Sequence, residues 1–208
     1  METVPTESVA TAASQGAAPE DILRADTYAL LATLLRDEPD NELLDFLSSA
    51  EAGDTEFGQA IGDLAAVAAV YPADAIADEF HTLFIGIGES ELKPYGSYYL
   101  TGFMHEKPLA KLRGALADLG IAKSDETVEP EDHIASLCEA MCALIMGEFG
   151  APASIADQKE FFDTHIRPWA PRCFEDLEHS PSASFYRPVG TLGRVFMQIE
   201  AQSFEMEA

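Results

Sequence analysis

Basic residues are few in this chain: 12 Lys and Arg stand against 37 Asp and Glu in 208 residues, a formal net charge of −25. A phosphate backbone repels such a surface, so a sequence-independent nucleic-acid binder is not expected. Cationic partners stay open. Cysteine is also sparse, with three residues at 138, 142 and 173. An odd, small number offers no disulfide framework and suits a reducing cytoplasm. No apolar run approaches the roughly 18 residues of a membrane span, so stable membrane insertion is not expected. The opening METVPTESVATAASQGAAPE holds neither Lys nor Arg nor a continuous apolar stretch. It does not read as a secretory signal. Its composition reads as a disordered lead over residues 1–19.

Several chemical signatures are missing as well. There is no GxxxxGK(S/T) phosphate loop, no GxGxxG, no GxSxG elbow and no HExxH. Sustained period-2 alternation and Asn-Gly or Asp-Gly hairpins are absent too. Helical periodicity is what remains. Ile22, Leu23, Leu30, Leu31, Leu34 and Leu35 form an apolar face after Pro19. Asp40 suits the cap of a helix carrying Leu43, Leu44, Phe46 and Leu47, and Asp54 or Thr55 that of the next. Ile76, Phe80, Leu83 and Phe84 share one further face. Residues 86–102 read as a loop rich in turn residues and aromatics. Leu109, Leu112, Leu116 and Leu119 mark a helix ended by Gly120. Ile134 to Phe149 reads as the longest clean helix. Ser154 suits the cap of another, Trp169, Phe174 and Leu177 fall in a short one, and a last helix runs through Leu192 and Phe196, its start blurred by Pro188. The expectation is an all-α protein of eight or nine helices. One helical domain covers 20–204, as halves 20–120 and 130–204 joined by a hinge near 120–130.

Three constellations could carry chemistry. Glu129-Pro130-Glu131-Asp132-His133 reads first as a well-capped helix start, because Pro130 suits a first helical position and acids suit the positive end of the macrodipole. Its functional reading is a carboxylate–imidazole pair at a hinge, offering an acceptor for a guanidinium or ammonium group. Cys138 and Cys142 share a helix face with His133 nearby, which allows core packing or, without CxxC spacing or a fourth ligand, a weak metal site. Tyr95, Tyr98, Tyr99 and Phe103 are either core aromatics or the lining of an apolar groove for a peptide.

Taken in order, three segments resemble the TorD/DmsD/NarJ family of redox-enzyme maturation chaperones. EFHTLFIG at 79–86 resembles its E-(Y/F)-x-x-L-F-x-G segment, KPYGSYYL at 93–100 its P-P-(Y/W)-x-S-V-(Y/W)-L segment, and EPEDHI at 129–134 its E-P-x-D-H-(I/F) hallmark. A spaced pattern of Gln158, Phe161, His165, Trp169, Phe174, Phe185, Tyr186, Phe196 and Glu200 follows, so the likeness spans most of 22–200. The chain departs from the family at Ile87 and Lys93, each in place of a Pro, and at Tyr98 in place of a small Val.

The resemblance implies an all-α cytoplasmic chaperone rather than an enzyme, with no catalytic residue, metal or cofactor of its own. It implies a partner, the precursor of a molybdopterin-dependent oxidoreductase. The chaperone would bind the twin-arginine leader and the apo-form, assist cofactor insertion and delay export. Some members dimerise, which leaves a homodimer open. Carried over by motif, Asp132 and His133, then Tyr95, Ser97 and Tyr98, are the expected peptide-binding residues, and Glu129 and Pro130 set the hinge. Asp132 is expected to accept an Arg or to orient His133. Two other classes compete: a metal-dependent enzyme using His133, Cys138 and Cys142, and a purely structural acidic assembly protein.

Overall fold

Proline is well placed at the first position of a helix, where its missing N–H would have no intrahelical partner. Pro19 opens α1 (Pro19–Arg36) in this way, with Glu20 and Asp21 at the positive end of the dipole and Arg36 at the negative end. Tyr28, Leu31, Leu34 and Leu35 recur at helical spacing and are buried. The Asp40 carboxylate accepts from Leu43 N at 2.8 Å and so caps α2 (Asn41–Ser48). Thr55, rather than Asp54, caps α3 (Glu56–Ala68), its hydroxyl accepting from Gly58 N at 3.0 Å. Next, α4 (Ala73–Phe80) runs straight into a π-helical turn, His81–Ile85, which Gly86 closes at φ 65°.

In the computed structural model, which describes residues 18–86, 90–121 and 129–206, six further helices follow. They are α5 (Gly96–Thr101), α6 (Lys107–Asp118), α7 (Ile134–Met146), α8 (Ile155–Phe161), α9 (Ala170–His179) and α10 (Tyr186–Met206), with a second π-helical turn, Phe162–Ile166, directly after α8. The described residues are all-α, with ten α-helices and no strand. The helix beyond the expected eight or nine is α5, inside the segment read as a loop. Residues 1–17 of the expected disordered lead, 122–128 of the hinge segment, and Ile87 lie outside the described residues. Among the described residues no single helix is long and apolar enough to cross a membrane.

Three local readings need correction. The Ile134 helix stops at Met146, where Gly147 takes a left-handed φ of 73°, and Phe149 is exposed beyond it. The longest helix is α10, with 21 residues. Pro188 does not blur its start, because it falls in the first turn, whose N–H groups need no intrahelical acceptor. Trp169 stands just ahead of α9 rather than within it.

The most extensive packing is α1 on α7, followed by α9 on α10 and α3 on α10. Nine of the 13 residues of α7 are buried, which makes it the centre of one apolar core drawing on residues from Ala25 to Phe204. The close approach of α9 to α10 requires glycine: a Cβ on Gly193 would meet the Phe174 ring at 2.2 Å.

Two buried carboxylates tie distant helices together. Glu200, fully buried on α10, accepts both nitrogens of the Arg24 fork at 2.7 and 2.9 Å and the Tyr28 hydroxyl at 3.0 Å. Gln158 on α8 accepts a further Arg24 N–H at 3.1 Å. Glu79, at the end of α4, accepts from the backbone N–H groups of Ser184, Phe185 and Tyr186 at 2.8, 3.1 and 2.8 Å. It thereby caps α10 from more than a hundred residues away. Glu79→Ala is expected to lower the free energy of unfolding by about 3 kcal/mol, since it strips a charged acceptor from three donors. The measurement is urea unfolding, with a lower midpoint at an unchanged slope. An unmoved midpoint would mean that water caps α10 equally well.

Candidate functional site

Two motif segments run past one another in opposite directions. Ile134 N donates to Pro94 O at 2.9 Å and Gly96 N donates to Asp132 O at 2.8 Å, a lone antiparallel bridge between Tyr95 and His133. Asp132 adds a side-chain bond, its Oδ2 accepting from Ser97 N at 2.7 Å. That buried carboxylate supplies an acceptor at the first turn of α5, and this tertiary cap is why a segment full of turn residues folds as a helix. Gly96 lies close under the indole: a Cβ there would sit 3.0 Å from Trp169 Nε1, so a larger residue would have to push the ring aside. The indole N–H in turn donates to His165 O at 2.7 Å.

Asp132 is only 3% exposed, and its second oxygen, Oδ1, is buried with no hydrogen-bond partner among the described residues. An unpaired oxygen of this kind is costly, and native structures rarely keep one without a use. Asp132 lines a cavity of about 550 Å³ whose walls include Leu100, Pro108, Leu112, Leu137, Pro168 and Trp169. The exposed Lys107 and Lys111 also line it. Thr101, Thr164 and the buried His165 belong to the lining too, so the site is a largely apolar hollow with one buried carboxylate, one buried imidazole and two ammonium groups.

His133 does different work. Its Nδ1 accepts from Ala135 N at 3.2 Å and caps α7, and its ring packs edge-on against Tyr95 with centroids 4.9 Å apart. Burial, helped by the charge of Arg36, holds the imidazole down to about 3, so it is neutral at physiological pH. The Tyr95 hydroxyl donates to Glu129, and burial together with that carboxylate pushes the phenol well above its usual range. Pro130 O accepts from His133 N at 3.0 Å. Glu129 and Pro130, the expected hinge residues, are therefore each bonded to one member of the ring pair.

Of the five expected peptide-binding residues, only Asp132 lines this cavity; Ser97 is buried behind its carboxylate, and His133 and Tyr95 form the edge-on pair. Tyr98 belongs elsewhere. It lines a separate cavity of about 690 Å³ with Tyr99, Asp176 and His179, and Lys93 Nζ lies 5.2 Å from the centre of its ring. Sequence reasoning did not single out Trp169, His165, Lys107 or Lys111 as cavity residues. The signal for the first two was their four-residue spacing, which was read only as part of an aromatic pattern.

The metal reading loses its ligand set. Cys138 and Cys173 are buried and Cys142 half-buried. Burial pushes the Cys142 thiol up to about 11 and that of Cys173 to about 12. Among the described residues no three His, Cys, Asp or Glu side chains converge as a metal would require.

Residues 50–175, which include both crossing segments, match the family model of the nitrate reductase delta subunit. The chain belongs to this family. The protein named chaperone protein TorD from Aliivibrio fischeri is 28% identical over 135 residues, covering 61% of this chain and 63% of that protein. The TorD chaperone of Vibrio parahaemolyticus is 23% identical over 134 residues, 61% and 62% of the two chains. The matched stretch therefore spans less than two thirds of the length of these curated relatives. A solved structure from Archaeoglobus fulgidus, described as a redox enzyme maturation protein, superposes with a TM-score of 0.56 over 85% of this chain and 94% of that one, at 19% identity. That likeness shows the fold. The family's E-P-x-D-H segment acquires a physical account here: Asp132 and His133 cap the two helices, α5 and α7, that meet at the cavity.

The neutral imidazole makes a prediction about acid. Unfolded, His133 titrates near 6.5; folded, it resists protonation down to about 3. Between those values the unfolded chain binds the extra proton, so stability is full above 6.5 and falls as pH drops toward 3, by up to about 1.4 kcal/mol per pH unit. His165, held down to about 4 by burial and by Lys111, acts in the same direction. His133→Asn, which keeps a capping side chain without titrating, is expected to flatten this acid slope in chemical denaturation followed from pH 7 to 4. A slope equal to the parent's would remove His133 from the account.

Proposed function

We propose that this protein is a maturation chaperone that acts in the cytoplasm on the precursor of a molybdopterin-dependent oxidoreductase. It holds the leader and apo-form while the cofactor is inserted and before export. The observation that carries this reading is the unpartnered, buried Oδ1 of Asp132 at an apolar cavity, beside the segment by which the chain resembles such chaperones. A largely apolar hollow with a fixed carboxylate acceptor is a receptor for an apolar segment that also brings a donor. Family membership and the relatives named as TorD chaperones support the client class. Nothing at the site is arranged for covalent chemistry: the His133 imidazole is engaged in capping, the thiols are protonated, and no described side chain hydrogen-bonds the His165 ring that lines the cavity as a triad would. Its chemistry is binding.

In this reading Asp132 is the receptor group, Ser97 fixes its carboxylate, and His133 and Tyr95 hold the segment that carries it. Glu129 and Pro130 form the hinge from which that segment enters. Tyr98, on its own cavity, touches the client at a second place. The test is titration of a synthetic twin-arginine leader peptide against the parent and Asp132→Asn. Asparagine keeps one oxygen for Ser97 N and replaces the free oxygen with an amide donor, so the fold is retained while the receptor is inverted. Binding is expected to weaken about tenfold or more, at a melting temperature within a few degrees of the parent's. Equal affinity would remove Asp132 from the binding site.

A further inference from the structure

The cavity at Asp132 continues along α6. Lys111, Thr164 and His165 line both it and a second cavity of about 480 Å³, so the two form one groove between α6 and the segment made of α8 and its π-helical turn. The balance of charge differs between the two ends: Lys111 is common to both, but it is joined by Lys107 at the Asp132 end and faced by three carboxylates at the other. The second cavity is lined by Asp118, Asp157 and Glu160, and among the described residues none of these is paired with a cation. Asp157 accepts from the Ser154 hydroxyl at 2.6 Å; among the described residues no side-chain hydrogen bond or ion pair engages the other two carboxylates. At the first end there is one carboxylate, buried, with a single oxygen free, flanked by Lys107 and Lys111. A guanidinium pairs best through two oxygens of one carboxylate. Asp132 offers one, and two ammonium groups oppose a third cation there.

We propose that the groove reads its client in two subsites. The Asp132 end takes an apolar side chain and a neutral hydrogen-bond donor, and the Asp118/Glu160 end takes the basic side chain. The inference rests on the chaperone reading above and assigns the arginine away from Asp132. It also sets a spacing. From Leu112 to Asp118 the helix rises about 9 Å, and from Pro108 about 15 Å. An extended chain advances about 3.3 Å per residue, so the basic residue stands about three to five positions from the apolar anchor.

The experiment uses two fluorescent leader peptides, one with its arginines and one with those arginines changed to glutamine. They are titrated against the full chain, the double variant Asp118→Asn/Glu160→Gln, and Asp132→Asn. Both double-variant positions are exposed, and Asp157 is kept because its bond to Ser154 belongs to a helix cap. The double variant is expected to bind the arginine peptide about tenfold more weakly, with a flatter salt dependence, and the glutamine peptide as the parent does. Asp132→Asn is expected to weaken both peptides by the same factor. Parent-like binding of the arginine peptide to the double variant would overturn the subsite assignment and leave the chaperone reading standing. So would an arginine-to-glutamine penalty that vanishes only in Asp132→Asn. No binding of either peptide to the parent would overturn the chaperone reading itself, and the subsites with it.

Discussion

The hydrogen bond from Ser97 N to the Asp132 carboxylate is the contact on which the site rests. It joins the start of α5 to the segment entering α7, and two backbone bonds between the same segments run beside it. Because Oδ2 is committed, Oδ1 has a fixed direction, and a fixed acceptor inside an apolar wall is what gives a hollow selectivity. Gly96 lets Trp169 close that wall, and the indole's bond to His165 O couples it to the π-helical turn. Turns of this kind recur at functional sites because the extra residue re-aims the side chains around it. Here Thr164 and His165, both in the turn, line both ends of the groove.

Much of the fold was legible because helix faces are local. The caps at Asp40 and Ser154, one of the two candidates at Asp54 and Thr55, and the buried face of Leu31, Leu34 and Leu35 follow from residue type and spacing; Leu23, read on the same face, is exposed. What escaped was whatever depended on a distant partner. Residues 96–101 have turn composition, and their helix exists because Asp132 caps it from 35 residues away. Nothing local to Glu79 reveals that it caps α10, although the motif around it was noticed. The site was legible in the same measure. The family likeness assigns the Tyr95 and His133 segments to one kind of role but says nothing of their crossing, and the helical turn after Tyr95 sends Tyr98 to a different cavity. Neutral, helix-capping His133 is closer to the structural alternative for the EPEDH segment, while the buried, unpartnered oxygen of Asp132 is what the structural alternative leaves unexplained.

The acidity also takes on a shape. Residues 1–91 carry 19 acids against Arg24 and Arg36 alone, and both arginines are held in ion pairs. Arg113, Arg167, Arg172 and Arg194 are likewise engaged with carboxylates. Self-pairing thus removes most of the chain's own guanidinium groups from solution, while the larger number of acids stays unmatched. A surface of this kind attracts cations from a distance, an effect that depends on ionic strength and sets encounter rate more than final affinity. Local geometry is left to decide where a cation settles.

The crossing of the two segments has a thermodynamic corollary. The walls of the hollow come from α5, α6, α7 and the stretch before α9, and they meet only when residues 94–97 reach 132–134. A partly folded copy therefore has no receptor to offer, and binding and folding draw on one cooperative state. Whatever occupies the hollow adds its own binding free energy to the fold, about 2.7 kcal/mol at a hundredfold excess over its dissociation constant. Occupant and fold then protect each other: a segment in the hollow is shielded while bound, and the helices around it are hardest to open while it is there.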